Sequence, residues 1–109
     1  MEKSDVIGAL GALAQDTRLD IFRLLVQVGR DGLPAGQIGA RFGLPSATLS
    51  FHLNQLKQAG LLACRREGRS MIYAAQFDAM NDLLAYLTEN CCQGQTGDCA
   101  VPVCAPAAE

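Results

Sequence analysis

A short Gly-Leu-Pro turn at residues 43–45 constrains this fold more than any other feature of the sequence. The helical pattern before it, residues 34–43, is short, and a longer helix is predicted from about Ala47 to Ala59 after it. Ser46 is a good N-cap for this longer helix. Its inward face is apolar, with Leu49, Leu53 and Leu56 at i, i+4 and i+7. Its opposite face presents Ala47, Thr48, Phe51, Gln55 and Gln58. A short helix, a turn and a helix with a polar outer face form the helix-turn-helix pattern.

A basic β-hairpin is predicted directly after this second helix. The runs LLACRR and SMIYAA have strand character, and they flank Glu67-Gly68-Arg69, where the glycine suits a tight turn. Two further helices are predicted before the helix-turn-helix and one after the hairpin, from about Asp78 to Glu89. The fold class is therefore mainly α with a small β-hairpin, a winged helix-turn-helix in the order of four helices, two strands and a fifth helix.

The charged residues are distributed unevenly along the chain. Residues 41–70 contain five Arg or Lys and one acid, whereas residues 71–109 contain no Arg or Lys and five acids. The positive charge lies on the predicted helix-turn-helix and wing, so this segment is expected to bind an anionic partner such as DNA.

Four of the five cysteines lie within fourteen residues near the C-terminus, at Cys91, Cys92, Cys99 and Cys104. The surrounding segment is mostly Gly, Gln, Thr, Ala and Pro, which offers little to pack in a core. Closely spaced thiols in such a segment indicate a soft-metal or metalloid site, with a thiol-redox switch or an inert tail as the alternatives. The chain thus divides into a domain of residues 1–90 and a Cys-rich tail of residues 91–109.

Length and composition exclude several classes of protein. A chain of 109 residues corresponds to one domain, and it contains no run of eighteen apolar residues. The first ten residues lack the pattern of a secretory signal, so we expect a cytoplasmic protein with reduced thiols and no membrane partner. No acid/base pair, nucleophile–histidine arrangement or phosphate-binding loop is recognisable, so we expect no enzyme activity and no required cofactor.

Two segments resemble the ArsR/SmtB family of metal-responsive repressors. LPSATLSFHLNQLKQAGLLACRREGRSMIYA is similar to the recognition helix and wing of that family, and DTRLDIFRLLV is similar to its second helix. The resemblance covers roughly residues 5–90. It implies a homodimer that is formed by the first and last helices and that binds double-stranded operator DNA until an inducer releases it.

This sequence departs from the family at the usual inducer sites. Arsenite-sensing members often carry Cys-x-Cys on the third helix, but PAGQIGARFG contains no cysteine. The His and carboxylate ligands of zinc sensors are not matched either, because His52 is the only histidine. The Cys91-Cys92 pair instead resembles members with a relocated site, built from a vicinal cysteine pair and one downstream cysteine.

The candidate DNA-binding residues follow from the outer face of the recognition helix and from the wing. Base edges in the major groove are read by side chains on the outer face of such a helix, and the candidates are Thr48, Phe51 and Gln55. Phosphate contacts are expected from Ser46, Ser50 and His52, and on the wing from Arg65, Arg66 and Arg69. For His52 a structural role is the alternative, and for Phe51 the alternative is to cover part of the dimer.

The candidate inducer ligands are the thiols of Cys91, Cys92 and Cys99. As(III) and Sb(III) prefer three thiolates, and Gly94 and Gly97 allow the chain to fold back and bring the third cysteine close. Cys104 is interpreted as a spare or auxiliary thiol, with a fourth ligand as the alternative. The expected inducer is As(III), and the alternatives are Sb(III), a soft divalent ion such as Cd(II) or Pb(II), and a thiol-redox signal. Cys64, in the first wing strand, is interpreted as a structural residue.

Overall fold

The computed structural model describes residues 1–91, so Cys92, Cys99 and Cys104 lie outside the described residues. Five helices and three strands follow one another along this part of the chain. They are α1 (Lys3–Leu13), α2 (Asp16–Val28), β1 (Leu33–Pro34), α3 (Ala35–Phe42), α4 (Ser46–Gln58), β2 (Leu62–Glu67), β3 (Ser70–Ala75) and α5 (Phe77–Leu87).

The hydrophobic core lies between α1, α2 and α4, which pack against one another. Helices α2 and α4 each bury one mainly apolar face, whereas α1 buries Val6, Ala9 and Ala12 and leaves Ile7 and Leu10 exposed. Ile21, Leu25 and Leu56 are fully buried at the centre of this core. The other buried members from these three helices are Val6, Ala9, Ala12, Phe22, Leu49 and Leu53.

The turn between α3 and α4 depends on glycine at two positions. Gly43 adopts the left-handed conformation (φ 63°, ψ 36°) that ends α3, and the Leu44 amide donates a 3.0 Å hydrogen bond to the Gly39 carbonyl. A Cβ at Gly39 would lie 3.1 Å from a methyl group of Leu49, so the absence of a side chain there allows α3 and α4 to approach closely. The result is the angled helix pair of a helix-turn-helix.

The wing is an antiparallel hairpin of β2 and β3 with a two-residue turn at Gly68-Arg69, because Glu67 pairs with Ser70. The short strand β1 pairs with the other edge of β3, so the sheet has three strands in the order β1-β3-β2. This arrangement ties the base of the wing to the segment that enters α3.

The winged helix-turn-helix prediction is confirmed, with differences of detail. Strand β1 was not predicted, because two residues are too few to produce a periodic pattern. Helix α4 begins at Ser46 and is preceded by Pro45 as N-cap, one residue earlier than expected. Helix α5 ends at Leu87 rather than at Glu89, because the chain leaves the helical path at Thr88.

No helix within residues 1–91 has the length and apolar character that are needed to cross a membrane.

Replacing Gly32 with alanine is expected to destabilise the protein by more than about 1 kcal/mol. Gly32 has a φ of +70°, and a Cβ there would collide with the Tyr73 carbonyl group of β3. Gly36 in α3 is the matched control, since a Cβ there meets nothing within 4 Å. Gly36→Ala should stabilise the protein by about 0.5–1 kcal/mol. Urea unfolding at one fixed protein concentration measures both changes, and equal effects of the two substitutions would contradict this account.

Candidate functional site

The outward face of α4 is exposed and mainly polar. Its inward face is fixed by the buried leucines, so the opposite side of the helix is held toward solvent. The exposed residues on α4 include the predicted Ser46, Thr48, Ser50 and Phe51, whereas Gln55 is half-buried. Phe51 is 56% exposed, which is unusual for an aromatic ring in a small domain. Thr48, Phe51 and Gln55 lie within about 60° of one another around the helix, on a surface that a major groove can admit. Ser46 and Ser50 lie outside this sector of the helix.

Asn54 is a member of this surface that the sequence analysis missed. It is exposed, and it follows Ser50 and Phe51 by four and three residues, so it lies on the same helical face. An asparagine amide can donate and accept toward the edge of an adenine, which makes it a typical base-reading group. The helical spacing alone was sufficient to identify it.

The structure turns His52 inward, which favours the structural alternative over the expected phosphate contact. Its side chain is only 8% exposed and lies on the inner side of α4. Its Nδ1 atom lies 3.2 Å from Nη1 of Arg18 in α2. Burial and, secondarily, the nearby Arg18 charge lower the pKa of His52 below its usual 6.5, so the ring is neutral at pH 7. A neutral ring that is turned inward is typical of a side chain that packs within its domain.

The three wing arginines are exposed, but they do not have equivalent surroundings. Arg65 donates from Nε to the Glu67 carboxylate at 2.7 Å and from Nη2 to the Asp31 carbonyl oxygen at 2.9 Å. Arg65 therefore links the wing to the loop before β1, and Glu67 offsets its charge. Arg66 and Arg69 lie farther toward the hairpin tip, where both are exposed.

Apolar side chains of α1 and α5 remain exposed, although the two helices pack against each other. Ile7 is 62% exposed and Leu10 is 41% exposed on α1. Leu87 is 55% exposed and Tyr86 is 37% exposed on α5. Exposed side chains of this size on two neighbouring helices are typical of a surface that meets another protein.

Cys91 lies just beyond the end of α5, where the backbone changes direction. The Thr88 hydroxyl donates a 2.7 Å hydrogen bond to the Leu84 carbonyl oxygen, and Asn90 has a positive φ of 57°. The Cys91 amide then donates to the Thr88 carbonyl oxygen at 3.0 Å. The Cys91 thiol is half-buried and not in a disulfide, and the Cys64 thiol on β2 has the same character.

Within residues 1–91, no group of three or more His, Cys, Asp or Glu side chains comes together as a metal site would require. The predicted thiolate set has one member in this range, Cys91, and its remaining members lie outside the described residues. The assignment of Cys91, Cys92 and Cys99 as ligands therefore stays a prediction.

Comparisons with known proteins agree with this architecture. A family model described as a helix-turn-helix domain matches residues 13–65. The HTH-type transcriptional regulator Rv0081 of Mycobacterium tuberculosis is 38% identical over 73 residues, which are 67% of this chain. The match spans only 62% of the length of that relative.

Two solved structures extend the comparison to three dimensions. HlyU from Vibrio cholerae is 32% identical, with a TM-score of 0.63 over 80% of this chain and 97% of HlyU. Mb0332 from Mycobacterium bovis, a homodimeric winged helix-turn-helix DNA-binding domain described as a possible ArsR-family regulator, is 30% identical. The TM-score between the two structures is 0.65, and the match covers 78% of this chain and 76% of the Mb0332 chain. The chain belongs to the ArsR family of winged helix-turn-helix transcriptional regulators.

Proposed function

We propose that this protein is a homodimeric repressor that binds operator DNA with α4 and the wing, and that releases it when a trivalent metalloid, As(III), binds to cysteine thiolates. The observation that carries the proposal is the uncovered polar face of α4, held outward by the buried leucines of its other face. The wing arginines extend this surface with positive charge, which suits a phosphate backbone. Repression, as opposed to activation, is itself part of the proposal, because the related protein HlyU is named a transcriptional activator.

A homodimer through α1 and α5 is supported by their exposed apolar side chains. Ile7 and Leu87 would each bury more than half of their surface in such an interface. Mb0332 is homodimeric. Two copies would present two recognition helices, and operator half-sites are typically one helical turn apart, about 34 Å.

The end of α5 supports a thiolate site at Cys91. Two adjacent cysteines can contact one ion only where the backbone is not a continuing helix. Because α5 ends at Leu87 and Asn90 has a positive φ, the α-helix does not continue to Cys91, which lies in a 3-10 turn beyond it. In the proposed reaction, three thiols each replace one hydroxyl of arsenous acid, with the release of three water molecules. Cys92 and Cys99 supply the other two thiols.

Alanine substitution of Arg66 or Arg69 should reduce the salt dependence of DNA binding. Each phosphate contact contributes about 0.9 to the magnitude of the slope of log K against log salt concentration. A dimer that loses one contact per subunit should therefore show a slope that is smaller in magnitude by about 1.8. Fluorescence anisotropy with a DNA duplex at several salt concentrations measures the slope. Arg66→Lys is the matched control, because lysine keeps the charge and should keep the slope. An unchanged slope in both alanine variants would exclude the wing tip from the interface.

Arsenite should release the wild-type protein from its operator and fail to release the Cys91→Ser and Cys99→Ser variants. Typical allosteric coupling of 1–3 kcal/mol lowers affinity by about 5–150-fold, which anisotropy resolves easily. Cys64→Ser is the matched control and should respond as the wild type does, because Cys64 lies on β2. Release of Cys91→Ser at the wild-type arsenite concentration would contradict the proposed site.

The same assay separates the alternative signals. Release by Sb(III), Cd(II) or Pb(II) at lower concentration than by As(III) would change the assigned inducer. Release by peroxide that a reductant reverses would assign a thiol-redox regulator instead.

A further inference from the structure

The contacts of the Arg18 side chain join α1 and α2 to α4, which lies more than thirty residues further along the chain. The Arg18 guanidinium donates from Nε to the Ala12 carbonyl oxygen of α1 at 2.7 Å. Its Nη1 atom lies 3.2 Å from Nδ1 of His52 on α4. One side chain on α2 therefore spans from the end of α1 to the recognition helix.

The position of Arg18 is itself fixed by the start of α2. Gln15 is the N-cap of this helix, and its side-chain oxygen accepts a 2.9 Å hydrogen bond from the Arg18 amide. Ala12 lies in the last turn of α1, where carbonyl groups lack helical partners and where a cation is favourable. The Arg18 side chain is half-buried, so its hydrogen bonds are partly shielded from water.

The hydrogen bond between Arg18 and His52 determines which ring nitrogen of His52 carries the proton. A guanidinium can only donate hydrogen bonds, so Nδ1 must accept and the ring must be the neutral tautomer that is protonated on Nε2. The ring also meets Phe51 edge-on, with ring centroids 5.7 Å apart and planes inclined by 63°. His52 thus connects Arg18 to the exposed aromatic side chain on the DNA-facing surface.

We propose that Arg18 and His52 are positioning residues that set the orientation of α4 and Phe51 relative to α1, and thereby set the sequence specificity of DNA binding. This inference rests on the proposed function, since it assumes that α4 reads DNA. Neither side chain is assigned a contact with DNA. Their effect is on how well the outward face of α4 matches base edges, where small displacements break directional hydrogen bonds.

The test compares affinity for two DNA duplexes of about 30 base pairs, long enough for two half-sites. One is selected by the wild-type protein from a random library, and the other is a scrambled sequence of the same composition. The ratio of the two affinities reports specificity, whereas the affinity for scrambled DNA reports phosphate binding alone. Circular dichroism and thermal unfolding verify that each variant is folded.

Two substitutions of His52 separate the hydrogen bond from packing. His52→Asn places an acceptor oxygen at the position of Nδ1 but removes the ring, and His52→Phe keeps a ring but has no acceptor. We expect His52→Asn to keep the specificity ratio within about threefold, and His52→Phe to lower it by about tenfold. The affinity for scrambled DNA should stay unchanged in both. The reverse order, with Phe tolerated and Asn not, would overturn the proposal in favour of simple packing.

Substitution of Arg18 provides the second arm of the test. Lysine keeps the charge but cannot donate to Ala12 and His52 in the same geometry, so Arg18→Lys should lower the ratio by about tenfold. The double variant Arg18→Lys/His52→Phe should lose no more specificity than either single variant. Each single substitution already breaks the same Arg18–His52 contact. Additive losses would overturn the proposal. Failure of the wild-type protein to select any sequence would instead contradict the proposed function.

Discussion

The burial of one face of α4 is the constraint on which the rest of the structure depends. Leu49, Leu53 and Leu56 enter the core together, and the 3.6-residue period then places the opposite face in solvent. The core therefore determines which side chains can meet DNA. Fully burying a leucine contributes about 1.5–3 kcal/mol, so three of them outweigh the exposure of Phe51 on the other face.

Periodicity and turn chemistry made most of the fold predictable. The helix-turn-helix followed from Gly43 and the leucine spacing, and the wing followed from the two strand-like runs around Gly68. What could not be predicted were features with no periodic signal. Strand β1 is two residues long and exists because Leu33 and Pro34 lie beside β3, a contact that only the assembled fold brings about.

Periodicity also made part of the candidate site predictable. Exposure on α4 follows from helical spacing, so Thr48 and Phe51 were identified correctly as outward residues, and Asn54 could have been. The roles of His52 and Arg65 were not accessible in this way. Each has a partner thirty-four residues away, and such contacts leave no local pattern in a sequence. A polar residue at the edge of an apolar face is equally compatible with burial and with phosphate contact.

The same contacts provide a route from the C-terminal end of α5, where the proposed inducer site begins, to α4. Helix α5 packs against α1, and α1 is joined to α4 through Arg18. A typical allosteric effect requires about 1–3 kcal/mol, and one hydrogen bond to a charged group contributes about 1.5–3 kcal/mol. A displacement of α1 that broke the Arg18–His52 bond would therefore remove stabilisation of the α4 orientation by an amount comparable with a typical allosteric coupling. Helix α1 contacts both α5 and α4, so it can transmit an effect from one to the other.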